Sequence, residues 1–139
     1  MKDFQVAIVV DGKKYLPIVQ ALLEEAVRGM KVDWHASDYS ALISAMSALI
    51  MQRRPVLLVL NSEFNDPATG EYRRSLAHQG LYDVADREFW EVAMADPNIE
   101  VWRVENPPKA TELIAKTPDL RDAVAFLERI KSGAVVAAG

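Results

Sequence analysis

Two uninterrupted apolar runs constrain this chain more than anything else in it. Val6-Ala7-Ile8-Val9-Val10 leads into Asp11-Gly12, and Val56-Leu57-Leu58-Val59-Leu60 leads into Asn61-Ser62-Glu63. Runs rich in branched side chains, without polar alternation, belong to strands covered on both faces, as in a parallel sheet. In open sheets of that kind the ligand crevice lies beyond the carboxyl ends of the strands. Asp11, Asn61, Glu63 and Asp66 are therefore expected to converge on one sheet edge.

The rest of the chain supplies further strands and the helices that cover them. Pro17 suits an early helical position, and Ile18, Val19, Leu22, Leu23, Ala26 and Val27 give one apolar face, with Gly29 as the stop. Lys31 to Ala36 reads as a second strand. Asp38 is the expected N-cap of a helix that carries Leu42, Ile43, Met46, Leu49 and Ile50 among alanines and serines. After the third strand, a helix is expected from Glu71 to Gln79, closed by Gly80, and another from Val84 to Ala95. The alternation of Ile99 to Val104 predicts a half-exposed edge strand. Pro107-Pro108 predicts a rigid extended turn, Thr111 to Ala115 a short helix, and Thr117-Pro118 the start of a last amphipathic helix ending at Gly133. The expected fold is α/β: a mainly parallel four-stranded sheet with helices on both faces, a three-layer α/β/α arrangement. Residues 1–133 form one domain in this reading, and 134–139 a flexible tail.

A chain of 139 residues, half of them hydrophobic, suffices for one domain with a real core. The net charge of −4 is well mixed along the chain and gives no long-range attraction to nucleic acid or anionic lipid. Arg53-Arg54 and Arg73-Arg74 read as solvated helix ends. The absence of cysteine removes disulfides, thiolate catalysis and cysteine-based zinc sites. No leader pattern and no run long enough to span a bilayer are visible, so a cytoplasmic protein without a membrane partner is the expectation.

Two carboxylates on neighbouring strand ends can hold a hard cation. Asp11 and Glu63 are the candidate pair, with Asn61 and Asp66 as helpers, and Mg²⁺ or Mn²⁺ as the ion. The competing reading takes the same residues as turn and cap residues, since Asp-Gly after a strand is common turn chemistry. The loop at Gly12 lacks both the G-x-x-x-x-G-K-[ST] and G-x-G-x-x-G patterns. His35 is expected to reach the same edge. His78 falls late in a helix, where a cation suits the dipole. No G-x-S-x-G elbow exists. Trp34, Trp90 and Trp102 read as core or interface residues, and an exposed Trp102 on an edge strand would favour a protein partner.

The run Val9-Val10-Asp11-Gly12, the helix from Tyr15 to Glu25, and Val56 to Glu63 together resemble a TOPRIM-type domain, over roughly Val6 to Pro67. That family carries Glu-Gly after its first strand and a D-x-D pair after its third. Here Asp11-Gly12 stands in the first place and Asn61-Ser62-Glu63 in the second. The resemblance implies metal-dependent phosphodiester chemistry on nucleic acid, with Asp11 and Glu63 catalytic and a degenerate acidic motif. A second resemblance is to response-regulator receivers, in which Asn61 would fill the phosphoacceptor position without being able to form an aspartyl phosphate. Two functional readings follow: a TOPRIM-like domain acting on nucleic acid, or a non-catalytic module that binds a protein partner or a second copy of itself. The Ala/Ser/Met-rich helix from Ala41 to Met51 supports the second.

Overall fold

The structure is a computed structural model that describes residues 4–63 and 67–135. Four strands form the sheet: β1 (Val6–Asp11), β2 (Val32–Ser37), β3 (Val56–Asn61) and β4 (Trp90–Ala95). All pairings are parallel, and the order across the sheet is β2-β1-β3-β4. The helices are α1 (Leu16–Leu22), α2 (Ala41–Ser47), α3 (Pro67–Tyr82), α4 (Pro107–Lys116) and α5 (Pro118–Lys131). A wider π turn, Ala48–Gln52, extends α2. The mainly parallel four-stranded sheet expected from the sequence is the sheet that forms.

Strand alternation divides the interior into two cores. Val6, Ile8 and Val10 of β1, with Leu57 and Val59 of β3, pack against α1, α4 and α5, where Phe126 and Leu127 are fully buried. Ala7 and Val9, with Leu58, Leu60 and Val92, face α2 and α3. Each fully buried large apolar side chain contributes roughly 1.5–3 kcal/mol, so both layers are held mainly by burial. On the second face α2 turns Ala41, Ala45 and Ala48 inward. α3 runs on through Gly80 instead of closing there, and α2 packs close to it: a Cβ would lie 3.3 Å from Met46 Sδ and 3.4 Å from Leu42 Cδ2.

The fourth strand lies earlier than the alternation of Ile99 to Val104 predicts. Phe89 to Ala95 is apolar apart from Glu91, and all six residues of β4 are buried. Glu91 is tolerated because Arg87 Nη2 pairs with its Oε2 at 2.5 Å and the Val92 N–H donates to the same oxygen at 3.1 Å. The expected helix over Val84 to Ala95 is therefore replaced by a 3-10 turn (Arg87–Phe89) and β4. Ile99–Trp102 is itself a 3-10 turn, which buries Ile99 and Trp102 three residues apart while Val101 faces outward. Trp102 is thus a core residue and offers no exposed edge to a partner. Pro107 and Pro108 open α4, with the Lys109 N–H donating to the Asn106 side chain at 3.0 Å, instead of making an extended turn. The outer edge of β4 is capped as well: the Met94 N–H donates to Asp119 Oδ2 at 2.8 Å, and Arg74 Nη1 holds that carboxylate at 2.9 Å.

His78 on α3 packs edge-on against Trp90, with ring centroids 5.1 Å apart, and its Nε2 is buried without a hydrogen-bond partner. Burial lowers its pKa below the ordinary 6.5; the cations Arg87 and Arg74 act in the same direction, and Glu91 and Asp119 oppose them. The dipole-favoured cation expected here is a neutral ring. A folded-state pKa below the unfolded value means that the unfolded chain binds more protons as pH falls through about 6.5. Stability is then full above pH 6.5 and declines below it. Thermal melts between pH 7.5 and pH 5 are expected to show a smaller loss for His78→Leu than for wild type. Parallel curves for the two proteins would reject the assignment.

Candidate functional site

The strand order reverses between β1 and β3: the chain leaves β1 for β2 on one side and returns to β3 on the other. Crevices at such reversals are where open α/β sheets bind ligands. Asp11 ends β1 and Asn61 ends β3, and both are buried. Glu63 follows two residues later in a left-handed conformation, φ 67°, its N–H donating to the Pro97 carbonyl at 2.6 Å. Ser62 Oγ donates to Asp96 Oδ1 at 2.5 Å, so the end of β3 is tied to the loop after β4.

Gly12 sets the exit from β1. Its φ is 112°, and a Cβ there would lie 2.9 Å from Tyr15 Cδ2. Any other residue would meet both backbone strain and the Tyr15 ring. The Lys13 N–H then donates to Asp38 Oδ1 at 2.8 Å. Asp38 therefore fastens the β1 loop, and the N-cap of α2 is Ser40, whose Oγ accepts from the Ile43 N–H at 3.2 Å.

Register decides what the strand-end residues can share. β1 and β3 align Val10 with Val59, so Asp11 lies across from Leu60 and Asn61 stands one step beyond. Successive strand side chains alternate faces. Asp11 has the parity of Ala7 and Val9 and faces α2 and α3, whereas Asn61 has the parity of Leu57 and Val59 and faces the other layer. The Asn61 side chain is a staple. Its Nδ2 donates to the Asp11 carbonyl at 2.7 Å, its Oδ1 accepts from the Ile99 N–H at 2.7 Å, and its own N–H donates to Asp11 Oδ2 at 3.1 Å.

A cation already faces the two acids. Arg73, on α3, places Nη2 2.9 Å from Asp11 Oδ2 and Nη1 3.6 Å from Glu63 Oε2. Its Nε is buried without a partner. The second arginine of the pair, Arg74, joins Asp119, so neither is the solvated helix end read from the sequence. Arg73 is the residue that sequence reasoning missed. The available signal was electrostatic: two acids brought to one crevice call for a positive charge, and α3 is the helix that follows β3 directly.

Two cavities flank this ion pair. One, of about 280 Å³, is lined by Asp11, Lys14, Asp38, Asn61, Glu63 and Asn98. The other, of about 240 Å³ and more apolar, lies between Tyr39, Leu42, Leu60, Arg73 and Leu76, and shares Asp11. His35 lines neither; its Nε2 is 2.8 Å from Asp33 Oδ2 on the same strand.

Where Mg²⁺ or Mn²⁺ was expected, the described donors turn largely to the protein's own groups. Such ions need oxygen lone pairs directed at one point. Asp11 Oδ2 is taken by the Asn61 N–H and Arg73, and Asn61 Oδ1 by the Ile99 N–H. Glu63 faces the Arg73 guanidinium. Among the described residues no group of three or more His, Asp or Glu is placed to hold a metal. Asp66, the remaining candidate helper, lies outside the described residues.

No family model, no curated protein and no solved structure matches this chain.

Function therefore rests on the chemistry of the site itself. Among the described residues no helix is long and apolar enough to cross a membrane. The crevice combines a fixed internal ion pair, a polar cleft with three carboxylates and one lysine, and an apolar cleft open toward Tyr39. Such a site can bind and orient. Of its described acids, Asp11 is bound to Arg73 and the Asn61 amide, and Glu63 stands against Arg73.

Proposed function

We propose that this chain is a non-catalytic binding module, an α/β domain whose strand-end acids serve structure and recognition. The observation that carries this reading is Arg73, whose guanidinium lies against Asp11 and Glu63 where a catalytic cation would sit. An internal guanidinium supplies the neutralising charge without release or exchange, and Asn61 spends its amide on holding β1 to the Ile99 turn. A receiver-like domain with asparagine in place of the phosphoacceptor fits the same description.

A second reading keeps the TOPRIM-like resemblance, with divalent-metal chemistry on nucleic acid. It is favoured by one observation: Asp11 and Glu63 line a single cleft, with Lys14, at the reversal point of the sheet. In that reading Mg²⁺ or Mn²⁺ takes the place of Arg73, and Lys14 faces a phosphate.

Thermal unfolding with and without Mg²⁺ and Mn²⁺ separates the two. A site filled at a hundred times its dissociation constant would add about 2.7 kcal/mol. The binding-module reading expects no rise in wild type. It expects a metal-dependent rise only in Arg73→Gln, where Asp11 and Glu63 have lost their cation. A rise in wild type that disappears in Glu63→Ala would reject it in favour of the metal-dependent reading.

A further inference from the structure

Among the described residues, the α2–α3 layer carries nearly all of the large apolar side chains left in water. Tyr39 is 99% exposed and Met51 81%, and Ile43, Ile50, Tyr72 and Leu76 are each about half exposed or more. Among the described residues only Val101 represents the opposite layer in that group. The imbalance shows in the helices too. α3 buries only Ala77 and Leu81 over 16 residues, whereas α5 buries five side chains over 14. On α2 and its π turn, Ile43, Ser47 and Ile50 follow one another at helical spacing along the outward side. Leu76 of α3 lines the same cleft as Tyr39, which joins the two helices into one surface.

Charge selects the occupant. No Asp, Glu, Lys or Arg lies between Ala41 and Gln52. A twofold interface brings each patch against its own copy, so only a surface without a single-sign charge can face itself without repulsion. The flanks of this segment are opposite in sign: Asp38 precedes it and Arg53 follows it, and both are exposed. They stand roughly 20 Å apart at helical rise. Two copies of α2 crossing antiparallel would set Asp38 of each near Arg53 of the other. The area suffices. Tyr39, almost wholly exposed, can bury about 150–250 Å² and Tyr72 roughly half as much; with Met51, Ile43, Ile50 and Leu76 the patch reaches the order of the ~800 Å² per partner of a stable interface.

We propose that the α2–α3 face is a homodimer interface, in which two copies of this chain pack α2 against α2 in antiparallel fashion about a twofold axis. This rests on the binding-module reading and names its partner as a second copy. The apolar cleft beside Arg73 then lies at the border of the interface, with Tyr39 bridging the two.

Sedimentation velocity over a concentration series of the full chain tests this, with circular dichroism confirming that each variant is folded. Wild type is expected to be a dimer. Ile43→Glu and Met51→Glu replace exposed side chains, so the fold survives, and each is expected to weaken the dimer by roughly thirtyfold or more, as loss of an interface anchor does. Arg53→Glu should weaken it severalfold, and Arg53→Lys, which keeps the charge, should stay within about threefold of wild type. A wild type that stays monomeric at several hundred micromolar overturns the proposal. It leaves the binding-module reading intact with a different partner, because that reading stands or falls on the metal response. A dimer indifferent to Ile43→Glu and Met51→Glu overturns the assigned face. A dimer indifferent to Arg53→Glu, or weakened equally by Arg53→Lys, overturns the antiparallel arrangement.

Discussion

Asn61→Asp is expected to destabilise the protein by about 3–5 kcal/mol, the range for an uncompensated buried charge. The substitution changes one atom, yet it replaces the Nδ2 donor that meets the Asp11 carbonyl at 2.7 Å with an oxygen. Two acceptors then face each other in a site that is 3% exposed, and a second carboxylate enters beside Asp11. The Ile99 N–H keeps its acceptor, so the loss falls on the β1 side of the staple. A carboxyl group held there favours its protonated form, so the deficit shrinks as pH falls. Urea unfolding at pH 7 and pH 5 measures both effects. The same variant also discriminates between the two functional readings, because it restores the acid that a D-x-D pair would have. If Asn61→Asp left stability unchanged and conferred a response to Mg²⁺, the staple would be dispensable and the metal-dependent reading would gain.

Trp90→Ala is the second large effect, about 3–5 kcal/mol for truncating a fully buried tryptophan. Trp90 is 0% exposed at the start of β4 and belongs to the core beneath α3. His78 and Tyr82 both meet its ring edge-on, at 5.1 and 4.9 Å, and Arg87 lies over it at 4.3 Å. Its Nε1 donates to the Ala85 carbonyl at 3.2 Å. Truncation removes the surface on which α3 is seated and orphans that carbonyl. Expected observations are a melting temperature lower by roughly 10 °C or more and loss of the His78 contribution to the pH profile. A cost below about 1 kcal/mol would mean that residues 90–95 do not form a buried strand.

The sheet was readable because β1 and β3 are apolar at consecutive positions. Only a strand covered on both faces asks for that. β4 was hidden by one residue. Glu91 interrupts an otherwise apolar run and, with Phe89 and Trp90 beside it, mimics helical spacing. Its neutralisation by Arg87 is a pairing across four residues that sequence alone does not announce. Ile99 to Val104 misled in the opposite direction, since burial at Ile99 and Trp102 satisfies a 3-10 period as well as it breaks an alternating one. At the site, the convergence of Asp11 and Glu63 followed from topology. The partnership with Arg73 did not, because it depends on which face of α3 turns toward β1. The divergence of Asn61 from Asp11 depends on a register offset of one residue, which reverses a side chain and is invisible before pairing is known.

The two borders of the sheet are unequal in a way that bears on motion. β4 is buried at every position and its outward amides at Val92 and Met94 are met by carboxylates. β2 is only half buried along its whole length. Local opening draws on the parts of a fold with the least burial. The crevice therefore has a fixed wall on the β3–β4 side and a yielding one on the β2 side, where Asp38 fastens Lys13 and Tyr39 begins the approach to α2. Native-state hydrogen exchange is accordingly expected to run faster along β2 than along β4.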